Sequence, residues 1–368
     1  MIYLDYNATA PLRDAAFASM TEALRHGGNP SSVHRQGRSA RRLVEESRET
    51  IAAAVGAVPQ GVIFTSGGTE ANNLALSAFP GRRILASAVE HPSVLNAKID
   101  AIVPVDRFGL IDLAALDEAL SADNRPALLA LMLANNETGV VQPVAEAAAL
   151  AHRHGALVHG DAIQALGKLP IDLQGLGLDS LSLSAHKIGG PQGVGALVLA
   201  DPDTDITSLI VGGGQERRHR AGTENVAGIA GFAAAVRDLG DIAGESVRLA
   251  GLRDHIERVA LESLPGITIF GRKVGRLPNT SCLALPRVPA QTLLMALDLA
   301  GIAVSAGSAC SSGKLAPSPV LLAMGESALA GSAIRLSVGW ATTPEEIERF
   351  LSEFVVISQR LMREHQAA

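Results

Sequence analysis

The sequence predicts an α/β protein: a mainly parallel sheet covered by helices, followed by a smaller α+β unit. Short apolar runs alternate with amphipathic stretches from about residue 62 to residue 232, the order expected of βαβ units. Hydrophobic residues make up 47% of the 368 residues and aromatic ones only 3%, so the core must be mostly Leu, Val, Ile and Ala. That mix suits helices on a buried sheet better than an aromatic-rich sandwich. Near Asp241 the texture changes to long helical patterns and short strands. A chain of this length is also too long for one small domain.

In chain order, Val62–Thr65, Arg83–Ala86, Ala127–Leu133, Ala156–His159 and Ser180–Leu183 read as strands. Each gives way to a loop rich in Gly, Asn or His, and most of those to a helical pattern. In such sheets ligands gather beyond the carboxyl ends of the strands, so those loops are where chemistry is expected. Past Asp241, a helix over about 244–263 precedes strands at Ile267–Phe270, Ser281–Leu285 and Ala333–Val338. Helices are expected at Ala290–Ala300 and Pro344–Glu364. The last opens with a capping box, Thr343-Pro344-Glu345-Glu346, with proline at the first helical position. Its residues Ile347, Phe350, Leu351, Phe354, Ile357 and Leu361 share one apolar face.

The net charge of −6 argues against nucleic acid as a partner. Arg35, Arg38, Arg41 and Arg42 are a local cluster that reads as one helix face. Two cysteines cannot build a disulfide framework. The opening Met1-Ile2-Tyr3-Leu4-Asp5 lacks the basic and apolar regions of a secretory signal, and no apolar stretch is long enough to cross a bilayer. A cytoplasmic protein without a membrane partner is the expectation.

Four segments could carry chemistry. Thr65-Ser66-Gly67-Gly68-Thr69-Glu70-Ala71 joins a strand to a helix starting near Thr69, where glycines and free N–H groups would suit a phosphate. The same residues would serve as a plain helix start capped by Thr69. It lacks the ending of a nucleotide P-loop and the spacing of a dinucleotide fingerprint. His159-Gly160-Asp161-Ala162-Ile163-Gln164 puts an acid at a ligand edge, where it could hold a ring nitrogen protonated; it could equally cap a helix. A metal held by His159 and Asp161, with His152 and His154 nearby, lacks a further ligand of suitable spacing, and no metal is expected.

Ser180-Leu181-Ser182-Leu183-Ser184-Ala185-His186-Lys187-Ile188-Gly189-Gly190 is the strongest local signal. A strand of alternating Ser and Leu ends in a lysine followed by glycines. Burial would lower the pKa of Lys187 and let it form a Schiff base with an aldehyde, whereas at an exposed strand end it would be an ordinary surface lysine. Cys310 sits in Ser305-Ala306-Gly307-Ser308-Ala309-Cys310-Ser311-Ser312-Gly313, a run of small residues that suits an exposed nucleophile. Cys282, in Thr280-Ser281-Cys282-Leu283-Ala284-Leu285, reads as a core residue.

Together these pieces resemble the class V aminotransferase group of pyridoxal-phosphate enzymes, and closely its cysteine desulfurases of the NifS/IscS type. The resemblance runs nearly end to end through Tyr3 to Thr9, Gly28 to His34, Glu90-His91, Asn135 to Gly139, Ser184 to Lys187, Gly212 to Glu216, Ala221-Gly222-Thr223 and Ser308 to Ser312. Their order and spacing make it specific. It implies a fold-type I architecture: a mainly parallel seven-stranded sheet with helices on both faces. It also implies a large cofactor-binding domain over 15–243, and a small domain of 1–14 and 244–368 that carries the cysteine loop.

The resemblance further implies that Lys187 attaches pyridoxal 5′-phosphate and acts as a base. Asp161 would pair with the pyridinium nitrogen, Gln164 would bond the phenolic oxygen, and His91 would stack on the ring and relay protons. Gly68, Thr69, Ser184 and His186 would hold the phosphate, with Thr223 contributing across a homodimer interface. Asn136 would lie near the cofactor oxygen and the substrate carboxylate, which Arg335 would grip. Taken alone, His91 could merely start a helix, Asn135-Asn136 could be a turn, and Arg335 could pair with a nearby acid. The implied reaction turns L-cysteine into L-alanine and leaves a persulfide on Cys310, for a sulfur-acceptor protein such as an iron–sulfur scaffold. A selenocysteine lyase, a class V aminotransferase and a non-catalytic sulfur-relay scaffold are the alternatives.

Overall fold

In the computed structural model, which describes residues 1–307 and 316–366, the chain opens with a two-residue strand, β1 (Ile2–Tyr3). The next strands are β2 (Val62–Thr65), β3 (Arg83–Ser87), β4 (Ala101–Val103), β5 (Ala127–Met132), β6 (Leu157–Asp161), β7 (Ser180–Ser184) and β8 (Gly195–Leu199). These seven form one sheet in the order β2-β8-β7-β6-β5-β3-β4. Strands β4, β3, β5, β6 and β7 run parallel, while β8 is antiparallel to both of its neighbours. Residue 161 is in register with Met132 on one side and Ser182 on the other, so the carboxyl ends of β5, β6 and β7 form one edge.

Period-two alternation explains how both faces are covered. Val62, Phe64, Leu129, Leu131 and Val158 point into the larger core. That core is closed by helices α1 (Asp14–His26) and α2 (Arg35–Ala54) and by others placed below. Ile63, Ala86, Leu128, Ala130 and Leu197 point the other way, onto α3 (Gly68–Ser77) and the single turn α4 (Pro92–Leu95). Helices α5 (Leu113–Ser121), α6 (Val144–Arg153) and α7 (Val226–Arg237) complete the first face. Arg35, Arg38, Arg41 and Arg42 lie on the exposed side of α2, as expected.

Beyond α7 come α8 (Ile242–Ser263), β9 (Thr268–Phe270), β10 (Thr280–Ala284), α9 (Ala290–Leu299), β11 (Ile302–Ala303), β12 (Ser305–Ala306), α10 (Pro319–Ala323), β13 (Ala333–Ser337) and α11 (Pro344–Gln366). Their antiparallel sheet has the order β12-β13-β10-β9. A separate core joins Ile256, Leu283, Leu297, Leu336, Phe350 and Phe354, and it also takes in Ile2 and Leu4 from the first residues of the chain. β1 pairs with β11, which ties that opening segment to the later part. The capping box forms: Thr343 N–H donates to Glu346 at 3.1 Å and Glu346 N–H to Thr343 Oγ1 at 3.2 Å.

Several boundaries differ from expectation. Strand β6 runs on to Asp161 instead of ending at His159, so the acid is the last strand residue. Helix α3 starts at Gly68 behind Gly67, with no side-chain cap, so Thr69 is not its N-cap. Helix α8 begins earlier, because Asp241 Oδ1 accepts from Gly244 N–H at 3.1 Å. Strands β4 and β8 escape the sequence reading: β4 has only three residues, and the antiparallel course of β8 depends on partners distant in sequence.

Candidate active site

Lys187 follows β7 in a short 3-10 turn and is half-buried, as its place at the interior sheet edge predicts. Its ammonium donates to two main-chain oxygens, Asn7 O at 2.6 Å and Ala8 O at 2.8 Å. Burial, reinforced by the charge of Arg335, lowers its pKa from 10.5 to about 8, with Asp5 and Asp161 opposing. No carboxylate hydrogen-bonds to it among the described residues. The amine can therefore shed its proton without breaking an ion pair.

Asp161 is buried at the end of β6. Its Oδ2 accepts from Asn72 Nδ2 at 2.7 Å and its Oδ1 from Ile163 N–H at 2.9 Å. Burial pushes its pKa up, and those two donors, with the nearby charges of His91 and Lys187, work against the shift. A carboxylate held this way is aimed to receive a cationic N–H. The other hydrogen of the Asn72 amide goes to Ser93 Oγ at 2.9 Å, and Ser93 Oγ lies 2.8 Å from His91 Nδ1.

His91 is the N-cap of α4, with Nδ1 accepting from Ser93 N–H at 3.1 Å. The plain reading, a helix start, therefore holds. An Nδ1 that accepts leaves the neutral ring's proton on Nε2. Desolvation by the surrounding protein lowers the ring's pKa, Asp161 raises it and Lys187 lowers it.

Gln164 is buried, donates Nε2–H to Asn7 O at 3.0 Å and accepts at Oε1 from Lys168 Nζ at 2.9 Å. Arg335 on β13 donates to Asp5 Oδ1 at 2.8 Å and to Asn136 O at 3.0 Å. Among the described residues its buried Nε–H has no acceptor. Asn135 does organise a turn, with Oδ1 accepting from Glu137 N–H and Thr138 N–H, both at 2.9 Å. That turn presents the Asn136 oxygen to Arg335.

The Gly67–Gly68 turn lies across the carboxyl edge from these groups. A Cβ on Gly68 would stand 2.1 Å from Ile163 Cδ1 and 3.5 Å from Ser184 Cβ, so the glycine lets the helix start lie against both segments. The N–H groups of Gly68 and Thr69 find no acceptor among the described residues. Buried Ser184 and half-buried His186 follow at the same end. Burial and the charge of Lys187 bring the His186 imidazole down to about 4, so at neutral pH it is an uncharged donor. Free helix N–H groups, a hydroxyl, an uncharged imidazole, a carboxylate aimed at a cationic nitrogen and an unpaired lysine make a donor set that fits pyridoxal phosphate.

The predicted residues do not all converge. Thr223 is exposed, and no side-chain hydrogen bond joins it to the site among the described residues. Cys310 lies outside the described residues. Cys282 is in the core, where burial raises the pKa of its thiol. Histidines 152, 154 and 159 are dispersed: the first two face Asp179 and Asp117, and His159 is buried against Ser180 and Asn72. Among the described residues no cluster of His, Cys, Asp or Glu could hold a metal ion, and no helix is long and apolar enough to cross a membrane.

The sequence assigns no role to Asn72, Ser93 or Lys168, nor to Asp5 and Asn7, although those two lie in the Tyr3–Thr9 stretch that carries the resemblance. Asn7 is a junction: its carbonyl receives Lys187 and Gln164, its Oδ1 receives Lys168 and Asn279, and its Nδ2 donates to Thr280. A lysine one helical turn beyond Gln164 was the available signal for Lys168.

Residues 2–350 match the family model described as aminotransferase class-V. The chain is 46% identical to a cysteine desulfurase of Cereibacter sphaeroides, over 98% of this chain and 96% of that one. Its fold is similar to the X-ray structure of a NifS-like protein from Rickettsia africae, with a TM-score of 0.89, 38% identity and coverage of 98% and 99%. A structure described as SspA in complex with cysteine matches with a TM-score of 0.80 and 30% identity, over 92% of this chain and 99% of that one.

Proposed function

The chain belongs to the class-V aminotransferase family, and from that premise we propose that it is a pyridoxal 5′-phosphate-dependent cysteine desulfurase acting on L-cysteine. The observation that carries this reading is Lys187, brought to about 8 at the carboxyl edge of the sheet, beside a buried Asp161. Bound there, pyridoxal phosphate supplies an aldehyde for amines and a ring that draws electrons from the carbon next to the nitrogen it holds.

Each residue then has a task. Asp161 would pair with the ring N–H, Gln164 would offer its remaining amide hydrogen to the phenolic oxygen, and His91 would cover the ring face. Gly68, Thr69, Ser184 and His186 hold the phosphate. Thr223 completes that end across a homodimer interface, a role supported by its exposure and by exposed Leu209, Ile210 and Val211 on the same stretch of chain. Arg335 and Asn136 take the substrate carboxylate. Lys187, as the free amine, removes the proton from the substrate Cα.

Cys310, as thiolate, takes the sulfur. The substrate C–S bond breaks, an S–S bond forms, and the electron pair left on the carbon fragment is protonated to give alanine. His91 relays the protons. A thiol with an ordinary pKa of about 8.5 is mostly protonated at neutral pH, so that relay has work at this step. The persulfide passes to a sulfur-acceptor protein, for which an iron–sulfur scaffold is the candidate. Persulfide chemistry calls for a reducing compartment, and we place the protein in the cytoplasm. The two cores support a division into a cofactor domain, 15–243, and a second domain of 1–14 and 244–368.

The test is alanine and sulfide release from L-cysteine in the presence of a thiol reductant, with selenocysteine run in parallel. Cys310→Ser is expected to keep the cofactor's visible absorbance and lose persulfide formation. Desulfuration of L-cysteine retained in that variant would refute the assignment, and turnover confined to selenocysteine would shift it to a lyase.

A further inference from the structure

Lys168 is buried, and among the described residues it has no carboxylate partner. Its Nζ makes two hydrogen bonds, to Asn7 Oδ1 at 3.1 Å and to Gln164 Oε1 at 2.9 Å. An unpaired buried ammonium is costly, whereas a neutral amine has two hydrogens to give and two acceptors here to take them. Burial, with the charges of Lys187 and Arg335, lowers the Lys168 pKa well below the ordinary range.

The consequence lies with the Gln164 amide. Its Nε2 must face Asn7 O, which can only accept, and Lys168 occupies its Oε1. One Nε2 hydrogen is then left for a ligand. The same lysine holds Asn7, whose carbonyl receives the Lys187 amine at 2.6 Å.

We propose that Lys168 is a positioning residue, which fixes the Gln164 amide with its N–H toward the cofactor's phenolic oxygen and holds the Asn7 carbonyl under Lys187. The inference rests on the functional reading above and deepens it. Lys168 touches neither substrate nor cofactor; it acts through Gln164 and Asn7.

A double-mutant cycle on the cofactor's absorbance tests this. Wild type, Lys168→Met, Gln164→Leu and the double variant are loaded with pyridoxal 5′-phosphate, and the visible band is titrated against pH. The phenolic oxygen carries more negative charge once the cofactor linkage has lost its proton, so losing a donor there raises the midpoint. Each single variant is expected to raise it by about half a pH unit, and the double variant no further than Gln164→Leu alone. Additive shifts, or a wild-type midpoint in Lys168→Met, would overturn the role of Lys168 while leaving the functional reading standing. A wild-type chain that develops no visible band would instead overturn that reading. Lys168→Gln, whose amide nitrogen still donates but on a shorter side chain, enters the same cycle if Lys168→Met does not fold.

Discussion

Asn72 Nδ2 stands 2.7 Å from Asp161 Oδ2, and the same amide reaches Ser93 Oγ at 2.9 Å, which in turn touches His91 Nδ1. Asn72 Oδ1 faces His159 Nε2 at 3.1 Å, and burial lowers that imidazole to about 3, so it remains neutral. The neutral histidine donates Nε2–H to Asn72 Oδ1, which forces the amide's N–H groups toward Asp161 and Ser93. One buried amide thus couples the acid proposed for the ring nitrogen to the histidine proposed for the ring face. Asn72→Leu, close in volume, is expected to cost about 1–3 kcal/mol of stability by stranding buried polar partners. It should also raise the Asp161 pKa, because a donor to the carboxylate is lost while its burial remains. Equilibrium denaturation reads the first effect and the pH dependence of the bound cofactor's absorbance the second; an unchanged pH dependence would detach Asn72 from Asp161.

Lys187 gives a pH prediction with a definite sign. Its pKa is about 8 in the fold against 10.5 ordinarily, so between those values the unfolded chain binds more protons than the folded one. The cofactor-free protein should therefore gain stability as pH rises from 8 to 10.5 at this residue, with the full penalty present below 8. Only the neutral amine attacks an aldehyde, so the rate of cofactor capture should climb with pH and level off above about 8. Stopped-flow absorbance distinguishes this from an unperturbed lysine, whose capture rate would still rise roughly tenfold per pH unit there.

How far the sequence reveals the site depends on where each residue's partners lie. Lys187 and Asp161 are legible because ligands of a parallel sheet gather at strand ends: Asp161 ends one recognisable strand and Lys187 follows another. Asn72 is not, since Asp161 lies 89 residues away, and for Lys168 only the contact with Gln164 is local, Asn7 being 161 residues away. The alternating Ser180–Ser184 pattern reads as a strand, but Ser180 and Ser182 point into a buried polar network around His159, which alternation alone does not reveal. Strand β8 could have been found as an apolar run, but not its reversed direction. The opening residues carry part of the resemblance, but the contacts of Asp5 with Arg335 and of Asn7 with Lys187 span 330 and 180 residues and are not legible in the sequence.

Arg335 is pre-oriented by Asp5, at 2.8 Å, and by Asn136 O, at 3.0 Å, and among the described residues its buried Nε–H has no acceptor. Lysine cannot make these planar contacts together. Arg335→Lys is expected to raise KM for L-cysteine about tenfold or more, with cofactor absorbance unchanged, because a bidentate grip on the carboxylate is lost. A fall in kcat with unaltered KM would instead place Arg335 outside carboxylate binding.

Arg48 on α2 joins both nitrogens of its fork to buried Glu216, at 2.8 and 2.9 Å, and Glu216 also accepts from Phe64 N–H of β2 at 2.9 Å. Glu216, Arg217 and Arg218 have φ of 42°, 54° and 70°, a left-handed run of non-glycine residues that costs energy at each step. The Arg48–Glu216 pair supplies the compensation that pins this strained segment to the sheet, only a few residues before Thr223. Arg48→Met would leave a buried, uncompensated carboxylate, and the expected loss is about 3–5 kcal/mol. Combining it with Glu216→Gln removes the stranded charge and should recover part of that loss. Recovery without restored cofactor affinity would show that the pair serves to hold the segment beside the proposed phosphate end, beyond its share in stability. A loss of under about 1 kcal/mol in Arg48→Met would place the pair in the class of weak, solvent-screened bridges and leave the strained run without its anchor.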